Sequence, residues 1–185
     1  MEKHDEAIIA QVGKIIIESG IESLSPERLA RNLNIDQLDL PCHCGTTEEI
    51  LLMMLESLES ELNQLVSTSK QKKFSPEKEL NYLFKNLYSL FNIKPYYLTI
   101  IFSAELLNKS PEIQNLLLKI KIGAKCYLLQ IINHGKEEKV FKSKRTAKSL
   151  AVAILGSFRL FMNQQRLVNK MVSETEAIKN KSPAD

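Results

Sequence analysis

Cys42-His43-Cys44 is the densest cluster of ligating and nucleophilic side chains in this 185-residue sequence, because thiolate and imidazole both bind zinc and copper. Its spacing does not suit that chemistry. Structural zinc ordinarily takes two cysteines with two residues between them and a second pair far along the chain. Here one residue separates the thiols, and His4 and His134 have no motif partner. The expectation is packing, with Cys42, Cys44 and Cys126 acting as small apolar core residues. No metal is predicted. Nucleophilic and phosphate chemistry find no support either, since there is no Ser-His-Asp order with a nucleophile elbow and no glycine-rich phosphate loop. The adjacent carboxylates Glu137 and Glu138 fall in a polar connection. The sequence predicts neither an enzyme nor a cofactor.

The elements that would position any site are helical. Apolar residues recur at three- and four-residue spacing almost throughout. Ile8, Val12, Ile15 and Ile16 form a stripe that stops at Gly20, a suitable helix terminator. Ser25-Pro26 reads as an N-cap followed by proline at the first helical position, opening a helix that turns Leu29, Ala30 and Leu33 inward, and Asp36 is a second cap. Three short helices are therefore expected before Gly45. Thr46 and Thr47 then start a long helix with Ile50, Leu51, Met54, Leu55, Leu58, Leu62 and Leu65 on one side. Ser75-Pro76 and Ser110-Pro111 repeat the N-terminal signal, Lys94-Pro95 restarts the chain between them, and a last long helix is expected over residues 146–170. The remainder is polar, with at most a weak last turn. The fold class is all-α, divided into a three-helix head at 1–47, a helical body at 48–172 and a tail at 173–185.

Composition agrees with a folded chain: 44% apolar and 25% charged residues with only six Gly and six Pro exclude disorder and low complexity. The odd cysteine count and the absence of a basic start with an apolar block in MEKHDEAIIAQ predict a cytoplasmic protein. No segment has the apolar length of a membrane span. The net charge of +3 is unevenly spread, since residues 1–50 hold four bases against ten acids, for −6, and leave +9 to residues 51–185.

A packing helix, two short helices joined by a tight turn, and a long helical body make a helix-turn-helix module on an all-α domain. Over residues 8–51 the chain resembles the DNA-binding region of the tetracycline-repressor (TetR) family. The matching positions are Ile8, Val12, Ile15, Gly20, Ser25, Leu29, Ala30, Ile35, Leu40, Glu49, Ile50 and Leu51. The stretch from Ile131 to Phe161 is similar to the family's penultimate-helix region, with Gly156 as its small residue. The resemblance implies a homodimeric transcriptional regulator whose heads meet double-stranded DNA through Ser25, Pro26, Arg28, Gln37, Leu38, Asp39, Thr46 and Thr47. It implies a small apolar or amphipathic effector among Phe84, Tyr88, Phe91, Tyr97, Phe102 and Tyr127, and a dimer interface on Leu150, Ile154, Phe158, Phe161 and Met162.

The chain also departs from the family pattern. Where the recognition helix carries Leu-Tyr-x-x-Phe, this sequence has Leu40-Pro41-Cys42-His43-Cys44, and Thr47 stands where the family has lysine. Proline inside a helix removes a backbone bond and clashes with the preceding turn, at a cost of ~3 kcal/mol. A bent or shortened recognition helix is expected, with Asp36 and Asp39 adding negative charge to the face that should meet phosphates. These departures motivate an alternative, a dimeric ligand- or protein-binding module that keeps the fold and has lost ordinary DNA binding.

Overall fold

A computed structural model describes residues 3–179. Seven α-helices and four 3-10 turns make up most of the described residues, with no strand among them: α1 (Lys3–Ser19), α2 (Pro26–Leu33), α3 (Thr47–Gln71), α4 (Pro76–Ile93), α5 (Tyr96–Phe102), α6 (Pro111–Glu137) and α7 (Ala147–Lys179). Local signals set most of the starts. The Ser25 side chain caps α2 by accepting from Arg28 N, with Pro26 in the first turn, and Ser110 does the same for Ile113 N ahead of Pro111. At α3, Thr46 and Glu49 bond each other's backbone N–H groups in a capping box. Gly20, at φ 82°, adopts the backbone conformation that glycine tolerates best.

After α2 the expected third helix of the head is absent. Asn34 turns left-handed at φ 56°, and the chain then makes two 3-10 turns, Gln37–Asp39 and Cys42–Cys44, on either side of Pro41. Asp36 caps the first turn, its side chain accepting from Leu38 N at 2.9 Å. Leu40 before the proline is extended, as the clash of a proline ring with the preceding residue requires. The expected shortening is thus complete: no α-helical turn survives in this element.

Two hydrophobic clusters hold the chain together. The first is continuous from the head (Val12, Leu29, Cys44) through α3 and α5 (Leu55, Tyr97, Ile100) to α6 and α7 (Ile113, Leu117, Met162). The second joins Leu83, Leu128, Ile131, Ile132 and Ala151 across α4, α6 and α7. Head and body therefore share one core. Gly13 of α1 lies against the ring of Tyr96 in α5, so close that a Cβ there would stand 2.2 Å from Cδ1. Beside it, Tyr97 is fully buried and shares a 2.7 Å hydrogen bond with Ser57 of α3.

The structure corrects three sequence expectations here. The final helix runs to Lys179 rather than ending near 170, so helix continues where a polar tail was expected. Cys126 is exposed, and of the other two cysteines only Cys44 is buried; Cys42 projects from its turn because that turn packs through a single residue. No described helix is long and apolar enough to cross a membrane.

Candidate DNA-reading head and effector cavity

The predicted head residues come together around the N-terminus of α2 and the turns after it, but most serve the fold first. Pro26 is buried and Ser25 is taken up as a cap. Thr47 Oγ1 donates to Leu24 O at 3.1 Å and pins α3 to the chain ahead of α2, while Thr46 belongs to the capping box. Arg28 Nη2 donates to Ser19 Oγ at 2.6 Å. Gln37 reaches only to Glu27, at 3.5 Å. Leu38 is 93% exposed, an apolar knob at the tip of the head, and Asp39 is exposed beside it.

Electrostatically this surface is acidic. Glu27, Asp36, Asp39 and Glu48 are all exposed, against the bases Arg28 and Arg31. Bonds from Ser25 and from its own backbone hold the Glu27 carboxyl below the ordinary range, fixing it as an anion. Phosphate neutralisation supplies most nonspecific DNA affinity, and among the described side chains of this surface Arg28 and Arg31 are the bases placed to contribute to it.

In the body, a cleft of about 320 Å³ opens between α3 and α6, walled also by α4 and α7. Leu62, Leu65 and Val66 come from α3, Leu83, Phe84 and Leu87 from α4, Ile120 and Leu128 from α6, and Leu155 from α7. Polar groups stand at its rim: Glu59, Asn63 and Lys70 on α3, Lys119 and Gln130 on α6. Lys119 Nζ pairs with Glu59 at 2.9 Å. Lys70 Nζ lies 5.7 Å from the ring centroid of Tyr127, whose phenol donates to Glu79 at 2.6 Å.

Of the six aromatic residues assigned to an effector, only Phe84 and Tyr127 line this cleft. Tyr97 is core, Phe91 is buried with its ring 6.2 Å from that of Phe158, Phe102 carries Arg159 over its face at 4.5 Å, and Tyr88 sits at the surface against Phe161. The missed walls are the aliphatic residues of α3 and α6. Their signal was the α3 stripe continuing to Leu62 and Leu65, past the part of the helix that packs the head.

The residues assigned to the dimer interface mostly face inward. Met162 is 1% exposed within its own chain's core, Phe158 packs on the same cluster, and Leu150 and Ile154 pack on the second one. Phe161 is exposed. The outward face of α7 carries a different stripe, Val152, Gly156, Leu160 and Leu167, of which the three large residues are each at least 60% exposed. On α6, Leu118 and Ile122 are likewise exposed.

The sequence matches no family model and no curated protein, whereas its fold has many solved counterparts. The ketosteroid transcriptional regulator KstR2 of Mycobacterium tuberculosis superposes with a TM-score of 0.76 over 88% of this chain and 83% of that one, at 15% identity. PfmR, a TetR family transcriptional regulator from Thermus thermophilus, gives 0.73 over 84% of each chain at 21% identity. This chain has the TetR fold. A third structure, AibR in complex with isovaleryl coenzyme A and operator DNA, gives 0.73 over 87% of this chain and 86% of that one at 15% identity. After α2, where the family pattern that the sequence resembles places a recognition helix, this chain has two 3-10 turns on either side of Pro41.

Proposed function

We propose that the protein is a homodimeric, ligand-responsive transcriptional regulator of TetR type, and not an enzyme. The single observation that carries this reading is the continuity of α3. Its first turns, capped at Thr46 and tied by Thr47 to Leu24 O, pack in the head, and its later turns, from Glu59 to Lys70, wall the cleft. A ligand that seats better in one arrangement of α3 shifts the head with it, which is all that a population-shift switch requires. AibR, of the same fold, was solved in complex with both isovaleryl coenzyme A and operator DNA, which favours this pairing of sites. Dimerisation through the outward faces of α6 and α7 is favoured by the Val152, Gly156, Leu160 and Leu167 stripe, where a Cβ at Gly156 would meet nothing within 4 Å and a second backbone can approach.

One observation favours a second reading, a TetR-fold module that works without reading an operator: the broken recognition element with its exposed acids. Fluorescence anisotropy with the promoter of the protein's own operon, over a range of salt, separates the two. The regulator reading expects salt-sensitive binding at micromolar protein, released by a ligand of the cleft. Absence of any salt-sensitive binding there establishes the second reading instead.

A further inference from the structure

The cleft is a slot with unlike ends. Glu59 and Lys119 pair across α3 and α6 at one end, and Lys70 stands over Tyr127 at the other. Lys70 comes eleven residues after Glu59 on the same helix, so the two ends are about 16 Å apart at 1.5 Å per residue. Between them the walls are aliphatic and aromatic. At about 30 Å³ per small heavy-atom group, the 320 Å³ of the cleft takes roughly ten non-hydrogen atoms of ligand.

The charges at the two ends are not equivalent. At the first, Glu59 already neutralises Lys119. At the second, no acid among the described residues pairs with Lys70; the carboxylate of Glu79 keeps its charge but is turned to the Tyr127 phenol behind the cleft wall rather than to the Lys70 ammonium. Lys70 is exposed, so its ammonium stays hydrated until an anion arrives at the rim. A cationic head group would meet Lys70 at one end and find Glu59 occupied at the other.

We propose that this cleft binds a medium-chain amphiphilic anion, an unbranched or lightly branched carboxylate of about eight to twelve carbons, with its head group on Lys70 and its chain running along α3 toward the Glu59–Lys119 pair. This rests on reading the cleft as the effector site, and it adds the sign of the head group and the length of the chain. Seating the chain removes aliphatic surface of the half-buried Leu62, Val66 and Leu87 from water, which supplies the affinity. Lys70 supplies the selection by charge.

Isothermal titration calorimetry of the full chain with decanoate, 1-decanol, decyltrimethylammonium and hexadecanoate tests it. Decanoate is expected to bind saturably and decanol more weakly, while the cation and the longer acid bind at least tenfold more weakly than decanoate. Lys70→Glu is exposed and should leave the fold intact, as circular dichroism will report. It is expected to cost decanoate about tenfold in affinity and to leave decanol unchanged. Ala124→Phe, which fills the slot from α6, is expected to abolish both. Equal binding of anion and cation, or a Lys70→Glu variant with unaltered selectivity, overturns the proposal. The regulator reading is judged separately by anisotropy: decanoate that binds in the calorimeter but leaves promoter binding unmoved sustains the ligand assignment and defeats the switch.

Discussion

The phenol of Tyr127, on the wall of the cleft, donates a 2.6 Å hydrogen bond to Glu79 in the first turn of α4. This bond ties the middle of α6 to the start of α4 and places a charged acceptor just behind the cleft surface. Burial, and then the bond to Glu79, push the phenol up to about 12. The ordinary value is about 10, so the protonated phenol contributes stability that is whole below about pH 10 and is lost as pH rises through about 12. Tyr127→Phe is expected to lower unfolding free energy by about 1.5–3 kcal/mol at neutral pH, the usual worth of a hydrogen bond to a charged group. Urea midpoints at pH 9 and pH 11.5 check the sign: the gap between wild type and Tyr127→Phe should narrow at the higher pH. A gap that stays constant would mean that the bond does not hold the phenol's proton.

The contact of Gly13 with the Tyr96 ring makes a second prediction, about how head and body communicate. A methyl group at residue 13 has no room unless the ring of Tyr96 moves. Tyr96 is neighbour to Tyr97, whose hydroxyl is bonded to Ser57 of α3, and the two rings meet edge to face at 4.7 Å. Gly13→Ala should therefore destabilise the protein by about 1–3 kcal/mol through overpacking, despite alanine's better helix propensity. Denaturant unfolding measures it. Gly123→Ala, on an open face of α6 where a Cβ meets nothing, is the control and should be neutral or slightly stabilising.

What could be read from the sequence was local. Ser25-Pro26 and Ser110-Pro111 open helices because cap and proline act within one turn, Pro76 opens α4 without a side-chain cap bond from Ser75, and Pro41 breaks the element after α2 for the same short-range reason. The cleft was not readable, because its existence depends on the packing of four helices and not on any one of them. A stripe at helical spacing says that a face is buried, and does not say against what. Hence Tyr97 and Phe91, assigned to a ligand, fill the core, whereas Lys70 and Lys119 gain their meaning only from the apolar slot between them. On α7 both faces carry large apolar residues, and those the family resemblance assigns to the partner lie mostly on the inward one.

The charge of the head predicts a shallow dependence of DNA binding on salt. Arg28 and Arg31 give about two phosphate contacts per head, so the slope of log affinity against log salt should be about −2 per head and about −4 for a dimer. Asp36 and Asp39 oppose binding by like-charge repulsion from exposed positions. The double substitution Asp36→Asn and Asp39→Asn keeps a capping side chain at residue 36 and removes both charges. Anisotropy at low salt should show affinity rising roughly three- to tenfold, the scale of two exposed charge interactions. An unchanged affinity would mean that this face does not meet the phosphates.

The two faces of α7 make the last prediction, because they separate association from folding. Leu160 is 66% exposed and Val152 61%, flanking Gly156 on the outward stripe. Burying such residues against a second copy stabilises a dimer by about 1.5–3 kcal/mol for each large side chain fully covered. A carboxylate at the same place would have to be desolvated without a partner. Leu160→Glu should therefore yield a folded monomer of about 21.1 kDa by light scattering, with helical circular dichroism retained. Ile154→Glu, less than two turns earlier and packed on the inner cluster, should instead lower the thermal midpoint whatever the oligomeric state. If Leu160→Glu leaves the mass at twice that of the chain, the interface lies elsewhere than on the outward stripe of α7.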